Sequence, residues 1–496
     1  MGVIRFQVFP PGRVGPDQAA RACFSGRDRF HWLSRTHVTD DGLVVERNVS
    51  DSGYFSLPWV VEGHGEMMIS TAWIVERDRP YHLQLELARG KLNQVRNQLN
   101  DWMAIGLAVP QELHDLIAQA MMRFVQAATK AANEPELAAQ FAESSLADAM
   151  TVAQRLGMLY TEQAAAARMR HASRLETRLG VNLGHSPFAV NVTDRIIKRA
   201  FNLAQVPLVW RQIEPSEGSA NFSESDATIA WCREEGVPVY AGPLLSFDDL
   251  LLPDWLCLWE GDYDNVLACV TNFVEQTVER YRGQVHWWQC AARLNVGTAL
   301  GLSQEDKLRM AVQVMQTTRR IDPETPITLS FDQPWAEYMN REAADPPIYL
   351  ADTLVRAGLG VAAIGLEINL GYYPGGSSAR DLLDVSQMID MWSWVGAPLH
   401  IFLSFPSATG EDPMAGSEAT PLPEAMPDGW SPAAQQALIE RYVPLLIAKP
   451  MVQAVVWNQY RDAEPHHFPH SGLLDAQDRV KPAVQSLANV RKRFLK

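Results

Sequence analysis

The sequence predicts an α/β protein whose C-terminal part is a (β/α)8 barrel (TIM barrel), preceded by a β-sandwich-like N-terminal domain and a helical region. After residue 183, short apolar runs alternate with helical stretches up to the C-terminus, as expected for the strand–helix units of a parallel barrel. The chain has 496 residues, 47% hydrophobic and 20% charged, which is enough for one large barrel with accessory domains. We place the domains at residues 1–90, 91–183 and 184–496.

The first predicted domain is rich in strand-forming residues punctuated by turns. Candidate strands are Leu43–Val49, Tyr54–Leu57 and Met67–Val75. Asp40-Asp41-Gly42 and Asp51-Ser52-Gly53 have the composition of turns between them. Short strands with close turns favour a small β-sandwich.

The second predicted region changes to long helices. Pro110-Gln111-Glu112 has the pattern of a helix start, with proline in the first turn. The stretch Ala164–Arg178 is rich in alanine with alternating charges, which is typical of an exposed helix. Helices of this length form a hairpin or bundle, and we expect a packing element here. The alternative is a surface through which the chain forms a homo-oligomer.

Eight candidate barrel strands follow, with helical stretches such as Asn265–Arg282 between most of them. The strands are predicted at Phe188–Val192, Leu208–Gln212, Val237–Ala241, Val285–Cys290, Ile327–Phe331, Ala362–Ile368, His400–Phe405 and Ala454–Asn458. The chemistry of such barrels takes place at the carboxyl ends of the strands. Candidate site residues are therefore expected at these ends.

Charge and composition exclude several classes of partner. The 58 acidic and 43 basic side chains give a net charge of −15, which argues against nucleic acid and against an anionic membrane surface. No apolar run approaches the roughly 18 residues of a membrane span, and the first residues lack the pattern of a secretion signal. We therefore expect a cytoplasmic protein. The five cysteines are scattered and never spaced as Cys-x-x-Cys, so we expect neither disulfides nor a zinc site built on thiolates.

Several short motifs occur in order along the barrel. They are Trp210–Gly218, Gly242–Leu245, Pro253–Leu256, Ile364–Glu367, Val456–Asn458, Gly472–Asp475 and Lys481–Ala483. In this order and spacing they resemble glycoside hydrolase family 10, the xylanase family, over about residues 186–490. The resemblance implies the barrel fold and a carbohydrate ligand, which is β-1,4-xylan in that family.

The chain departs from the family at both catalytic glutamates. Family members protonate the leaving oxygen with one carboxyl group and attack or stabilise the sugar with the other. Arg293 stands at the acid/base position, and Ser404 stands near the nucleophile position. A shift of register restores neither residue, because no acidic residue lies between Gln284 and Gly297 or between Leu399 and Gly410.

Two other carboxylates end predicted strands. Asp332 follows the fifth strand and Glu367 ends the sixth. Because neighbouring strand ends bring their side chains together, we predict a relocated pair that acts as general acid/base or nucleophile. The alternative is structural: Asp332 caps the following segment, and Glu367 pairs with Arg293.

Further residues are expected to contact the saccharide. Aromatic platforms and hydrogen-bonding groups are the residue types that hold sugar rings, and the candidates are Trp457, Trp210, Arg293, Asn369, Tyr372, Asn458, Asp462 and Glu464. The segment after the last strand also holds His466, His467 and His470, whose spacing fits no familiar metal motif. Gly375-Gly376 lacks the context of a phosphate loop. We therefore expect no metal and no cofactor.

Two functions follow from these residues. The first is hydrolysis of a β-linked, xylan- or glucan-like oligosaccharide or polysaccharide by the relocated pair. The alternative is a catalytically inactive, carbohydrate-binding pseudoenzyme, since both family glutamates are replaced.

Overall fold

The computed structural model describes residues 2–185, 188, 193–340 and 344–496. Its largest sheet is a closed barrel of parallel strands, in which each strand pairs with the next and the eighth pairs with the first. In chain order the barrel strands are Arg178–Asn182, Leu203–Val206, Val239–Ala241, Trp287–Ala292, Ile327–Asp332, Val361–Asn369, Leu399–Ser404 and Val452–Trp457. The predicted α/β fold class, a (β/α)8 barrel, is confirmed.

Each barrel strand is followed by a helix that packs on the outside of the sheet. In chain order these helices are Thr193–Ala200, Ser223–Glu234, Tyr263–Tyr281, Gln304–Ile321, Pro347–Arg356, Leu382–Trp392, Pro432–Ala448 and Ala483–Phe494. The strands are apolar along most of their length because both of their faces are buried, one against the helices and one inside the barrel. One continuous hydrophobic core joins the strands to the helix layer.

Two of the predicted strands need comment. Most of Phe188–Val192 lies outside the described residues, and the first described barrel strand is the earlier segment Arg178–Asn182. The prediction of Leu208–Gln212 was wrong: the strand is Leu203–Val206, and the chain turns into a short helix soon afterwards. Pro207 has no N–H for the ladder, so it ends the strand, and the apolar residues after it pack into the core instead.

The N-terminal region contains two four-stranded sheets. One consists of Ser34–Thr39, Gly42–Arg47, Gly2–Gln7 and Tyr81–His82, and the other of His31–Trp32, Cys23–Ser25, Tyr54–Val61 and Gly65–Ser70. Phe6 from the first sheet stacks on Phe55 from the second, with ring centroids 4.8 Å apart. The two sheets therefore share one core, which confirms the β-sandwich-like architecture.

Three long helices connect the sandwich to the barrel: Leu83–Ala104, Gln111–Lys130 and Pro135–Met169. The first begins before the boundary predicted at residue 91, and the first barrel strand begins before the boundary predicted at 184. The rest of the domain division, and the homo-oligomer through these helices, stay predictions. Among the described helices, none is both long and apolar enough to cross a bilayer. All five cysteines are free.

The sandwich and the first long helix pack directly on the barrel. The amide of Asn340 donates to the carbonyl of Ala22 at 2.6 Å and accepts from the Ser34 hydroxyl at 3.1 Å. The ammonium group of Lys91 pairs with the buried carboxylate of Asp381, which caps the helix after the sixth strand. Buried polar contacts therefore fix the position of the N-terminal region on the barrel.

Candidate active site

A cavity of about 440 Å³ opens at the carboxyl ends of the barrel strands. We call it the cleft cavity, and its lining includes Asn182, Gln205, Ser246, Asp248, Gln289, Arg293, Glu367, Ser404, Asn458, Glu464 and His467. These side chains come from five barrel strands and from the segments that follow the third, fourth and eighth strands. A second depression of about 720 Å³ adjoins it and shares several lining residues, Glu464 among them. The cleft therefore extends beyond the barrel axis, as an elongated ligand requires.

A chain of hydrogen bonds crosses the floor of the cleft cavity. The amide of Gln205 donates to Gln289 at 3.1 Å, and Gln289 donates to the hydroxyl of Ser330 at 2.9 Å. Ser330 in turn donates to one carboxyl oxygen of Glu367 at 2.9 Å. Because each member is held by a member on another strand, the carboxyl group of Glu367 has a fixed position.

Arg293 occupies the centre of a charged cluster at the end of the fourth strand. Its guanidinium group pairs with the carboxylates of Asp248 and Asp332, the second at 2.7 Å. It also lies 2.8 Å from Nε2 of His467. Burial and the charge of Arg293 lower the pKa of His467 to about 3, so the imidazole is neutral and can accept this hydrogen bond. The backbone of Arg293 is left-handed, with φ of 58°, which turns the side chain into the cluster.

The structure contradicts the prediction for Asp332. Its side chain is 0% exposed and does not line the cleft cavity. The carboxylate accepts from Arg293 at 2.7 Å, from the Asn369 amide at 3.0 Å and from the backbone N–H of Gln333 at 2.7 Å. These contacts favour a structural role for Asp332, although its charged partner is Arg293, which the alternative assigned to Glu367. A carboxylate with these three donors and no access to the cleft cannot attack a sugar.

Glu367 is adjacent to Asp332 in the register of strands five and six, but its surroundings are different. Its carboxyl group lines the cleft cavity and accepts a hydrogen bond from Ser330 rather than from Arg293. Burial, together with the charge of Asp332, raises the pKa of Glu367 to about 7. At neutral pH a large share of this carboxyl group is protonated, so it can donate a proton to a bound ligand.

Asp248 is a second carboxylate that lines the same cavity. Although burial opposes it, the charge of Arg293 lowers the pKa of Asp248 below its ordinary value. One of its oxygens also accepts from the backbone N–H of Leu250 at 3.0 Å. Asp248 is therefore ionised where Glu367 is largely protonated, and such a divergence is the pattern expected of an acid and its anionic partner.

The three aromatic residues predicted as sugar platforms are all buried, and none lines the cleft cavity. Trp457 is 1% exposed and donates its indole N–H to the carbonyl of Ser471 at 2.9 Å. Trp210 stacks on Phe273 of the outer helix layer at 4.8 Å. Tyr372 donates its hydroxyl to a loop carbonyl at 2.9 Å. These predictions were wrong because large aromatic rings inside a barrel of this size are needed for packing.

The predicted polar contacts divide into two groups. Arg293, Asn458 and Glu464 line the cleft cavity, as a contact with a saccharide requires. Asn369 and Asp462 do not, and these predictions were wrong. Asn369 is 0% exposed and supports Asp332, while Asp462 is buried against the ammonium group of Lys481 at 2.6 Å.

Asp412, Asp462 and His466 come close enough together to suggest a metal site, since their ligand atoms lie within 4.8 Å of one another. Their bonds are already made within the protein. His466 Nε2 lies 3.0 Å from Asp412, and the charge of Asp462 is balanced by Lys481. Because a cation already lies against Asp462, the cluster does not fit a resident metal ion.

Several buried polar atoms of the cleft cavity have no partner within the protein. They are Oε1 of Gln205, Oγ of Ser246, Nε of Arg293 and Oγ of Ser404. Unpaired polar atoms are rare in protein interiors because each loses its bonds to water. Their concentration at one cavity indicates a ligand rich in hydroxyl groups, or ordered water in its place.

Gln205, Gln289 and Ser330 belong to the site but were not predicted as site residues. A signal for them was present, because each is a polar residue inside an otherwise apolar strand. In a parallel barrel such residues point to the interior or to a neighbour, rather than to solvent. For Gln205 the signal was lost because the second strand was placed five residues too late.

The fold and the cleft define a (β/α)8 barrel with a strand-end site for a polar ligand, and comparison with known proteins agrees. Residues 169–292 match the family model of glycosyl hydrolase family 10. Endo-beta-1,4-xylanase Xyn10C of Cellvibrio japonicus is 24% identical over 91 residues, which is 18% of this chain and 15% of that protein's length. The predicted resemblance to glycoside hydrolase family 10 is confirmed, and the low identity makes it a divergent one.

Solved structures of xylanases are among those similar to this chain. Xylanase 10B from Thermotoga maritima is 15% identical, with a TM-score of 0.49, over 65% of this chain and 97% of that one. Xylanase 10B from Thermotoga petrophila RKU-1, solved in complex with xylobiose, is 14% identical, with a TM-score of 0.49, over 64% and 94%.

Proposed function

We propose that this protein binds a β-linked, xylan- or glucan-like saccharide in the cleft cavity and hydrolyses it with Glu367 as the proton donor. The observation that carries the proposal is the carboxyl group of Glu367: it lies near the carboxyl end of the sixth strand, lines the cavity and has a pKa of about 7. Such a group can protonate the oxygen of a leaving sugar near neutral pH.

The anionic partner in this proposal is Asp248 rather than Asp332. Asp248 lines the same cavity and stays ionised, so it can activate water or stabilise the positive charge that develops on the sugar ring. Arg293 and His467 hold the Asp248 carboxylate in place. Of the pair predicted from the sequence, Glu367 is kept. Asp332 is replaced by Asp248, which lies in the loop after the third strand.

A second function has its own support. The carboxylate of Asp248 is engaged by Arg293, and Arg293 stands where the family carries its acid/base glutamate. A cleft with this ion pair can bind a saccharide through its unpaired polar atoms without cleaving it. The alternative is therefore a carbohydrate-binding protein with no hydrolase activity.

The test incubates the protein with xylohexaose and cellohexaose in ¹⁸O-labelled water and follows products by mass spectrometry, with calorimetry for binding. For hydrolysis, we expect labelled shorter saccharides from the wild type. Glu367→Gln and Asp248→Asn should each lower turnover by about 10²- to 10⁴-fold while binding persists. Asp254→Asn is the matched control, since that carboxylate is 85% exposed and outside the cavity.

The outcomes separate the two functions. Binding without any labelled product would replace hydrolysis by the carbohydrate-binding function. Unchanged turnover in Glu367→Gln would show that another group donates the proton. Absence of both binding and product for these saccharides would refute the proposed ligand class.

A further inference from the structure

A separate cavity lies at the junction of the N-terminal sandwich and the barrel. Its volume is about 360 Å³, within the range of roughly 300–1,000 Å³ that is typical of small-molecule sites. We call it the junction cavity. It shares no lining residue with the cleft cavity. The sandwich contributes residues 25–31, and the barrel contributes residues from the helices Pro347–Arg356 and Leu382–Trp392.

Aromatic rings form much of its wall. The lining includes Phe30, Trp335, Tyr349 and Trp394. Trp394 is 83% exposed and Tyr349 is 52% exposed, so two large apolar surfaces face solvent at the mouth. An exposed tryptophan next to a cavity differs from the scattered apolar residues of an ordinary surface, because its flat face can cover a ligand.

Two buried polar side chains of the lining lack a full set of partners. His31 is 4% exposed; its Nε2 lies 3.1 Å from the sulfur of Cys23, but its Nδ1 has no partner. Arg380 is 6% exposed and pairs with Glu337 at 2.9 Å, but its Nε–H has no acceptor. Both residues therefore have hydrogen-bonding capacity that the protein does not use.

The charged groups at the junction cavity balance one another, which favours a neutral ligand: the lining includes Arg27, Arg29 and Arg380 as well as Asp28 and Asp384, and Glu337 pairs with Arg380. The guanidinium group of Arg380 is balanced by Glu337 and lies 4.8 Å from the centre of the Trp335 ring. That of Arg29 lies over the ring of Tyr54 at 3.5 Å. His31 is uncharged, since burial lowers its pKa to about 3. A ligand must therefore offer apolar faces for the rings and uncharged hydroxyl groups for the buried polar atoms.

We propose that the junction cavity is a second saccharide-binding site, with Trp394 and Tyr349 as stacking surfaces and His31 and Arg380 as hydrogen-bonding groups. A sugar ring is the ligand class with apolar C–H faces and hydroxyl edges, and it carries no charge. The inference goes beyond the function proposed for the cleft, because it assigns a ligand to a separate site. A second site on the sandwich side gives a long saccharide a further anchor on the protein.

The experiment uses the full chain labelled with 5-fluorotryptophan and observed by ¹⁹F NMR. Among the described residues that line the cleft cavity there is no tryptophan, so signals from Trp394 and Trp335 report on the junction cavity. The Trp394 signal is assigned with Trp394→Phe. The probes are xylotetraose and cellotetraose, and indole serves as an aromatic probe without hydroxyl groups.

We expect the Trp394 signal to shift saturably with at least one tetrasaccharide. The Tyr349→Ala/Trp394→Ala variant should bind that saccharide at this site at least tenfold more weakly, as judged by the Trp335 signal. Both side chains are exposed, so the fold should persist, and Ile105→Ala, at a position 75% exposed, is the matched control.

Either of two results would overturn the inference. One is a Trp394 signal that stays fixed while calorimetry shows saccharide binding, which leaves the cleft proposal intact. The other is a shift with indole but with neither tetrasaccharide. A shift at Trp394 without any turnover would support the junction site and count against hydrolysis in the cleft.

Discussion

Replacing Arg293 by methionine tests whether the charged cluster is a structural unit. The guanidinium group is the counter-ion of both Asp248 and Asp332, and side-chain exposures of 13%, 11% and 1% place all three groups away from water. Methionine keeps much of the side-chain volume and removes the charge. Two buried carboxylates then face each other and Glu367 without a cation.

The size of the effect follows from burial. Removing one partner of a buried ion pair leaves an uncompensated charge and costs about 3–5 kcal/mol of the free energy of unfolding. The exposed pair of Arg211 and Asp254, with side-chain exposures of 39% and 85%, contributes less than about 1 kcal/mol. Arg211→Met is therefore the matched control.

The loss should depend on pH with a definite sign. Burial already raises the pKa of Asp332, and without Arg293 only the hydrogen bonds from Gln333 and Asn369 oppose that effect. A carboxyl group whose pKa is higher in the folded state binds more protons when folded, so its stability contribution is greatest in acid and is lost as the pH rises through the folded-state pKa. The deficit of Arg293→Met should be larger at pH 8 than at pH 5.

Urea unfolding of the wild type and both variants, followed by circular dichroism at pH 5 and pH 8, measures these quantities. A loss in Arg293→Met no greater than that in Arg211→Met would refute the structural role of the cluster. A deficit that does not change between the two pH values would refute the electrostatic origin of the loss.

Three further predictions use the same unfolding assay. The folded-state pKa of Glu367, about 7, exceeds its ordinary value, so the stability that Glu367 contributes should be lost between pH 5 and pH 8, and the free energy of unfolding of Glu367→Gln relative to the wild type should be higher at pH 8 than at pH 5. Lys91→Met should cost about 3–5 kcal/mol, because it leaves the Asp381 carboxylate buried without its cation, whereas Lys130→Met, in an exposed pair, should cost less than about 1 kcal/mol. Trp457→Phe should lower the free energy of unfolding by about 1–3 kcal/mol without weakening saccharide binding in calorimetry, because the ring packs in the core. Weakened binding with unchanged stability would instead show that Trp457 contacts the sugar.

The barrel could be predicted because the alternation of apolar runs and helical stretches extends over the whole C-terminal part of the sequence. Each parallel strand is buried on both faces and is therefore an apolar run, and helical stretches separate the runs. The strand Leu399–Ser404, for example, lies within one residue of its predicted position. The position of the second strand was predicted wrongly because apolar residues continue past Pro207. Burial in the core requires the same apolar composition as burial in a strand.

The site could be predicted only in part, because strand-end position does not determine exposure. Asp332 and Glu367 are paired in register near the ends of adjacent strands, yet Asp332 is buried against Arg293 and Asn369 whereas Glu367 lines the cavity. The difference comes from side chains distant in sequence. The loop after strand three supplies Asp248, and no local pattern shows that it reaches Arg293.

Arg293 balances only part of the negative charge of the cluster. One cation, Arg293, faces two buried anions, Asp248 and Asp332, so the cluster already carries an excess negative charge. Ionising Glu367 beside it would add a further negative charge in a poorly solvated site, and this cost keeps the group protonated to about pH 7. If Glu367 is the proton donor, activity should therefore persist in mild acid and fall as the pH rises above about 7. In Arg293→Met this fall in activity should occur at a higher pH, because the cation that favours ionised Glu367 is gone. If the pH at which activity falls is the same in Arg293→Met as in the wild type, the proton comes from a group outside this cluster.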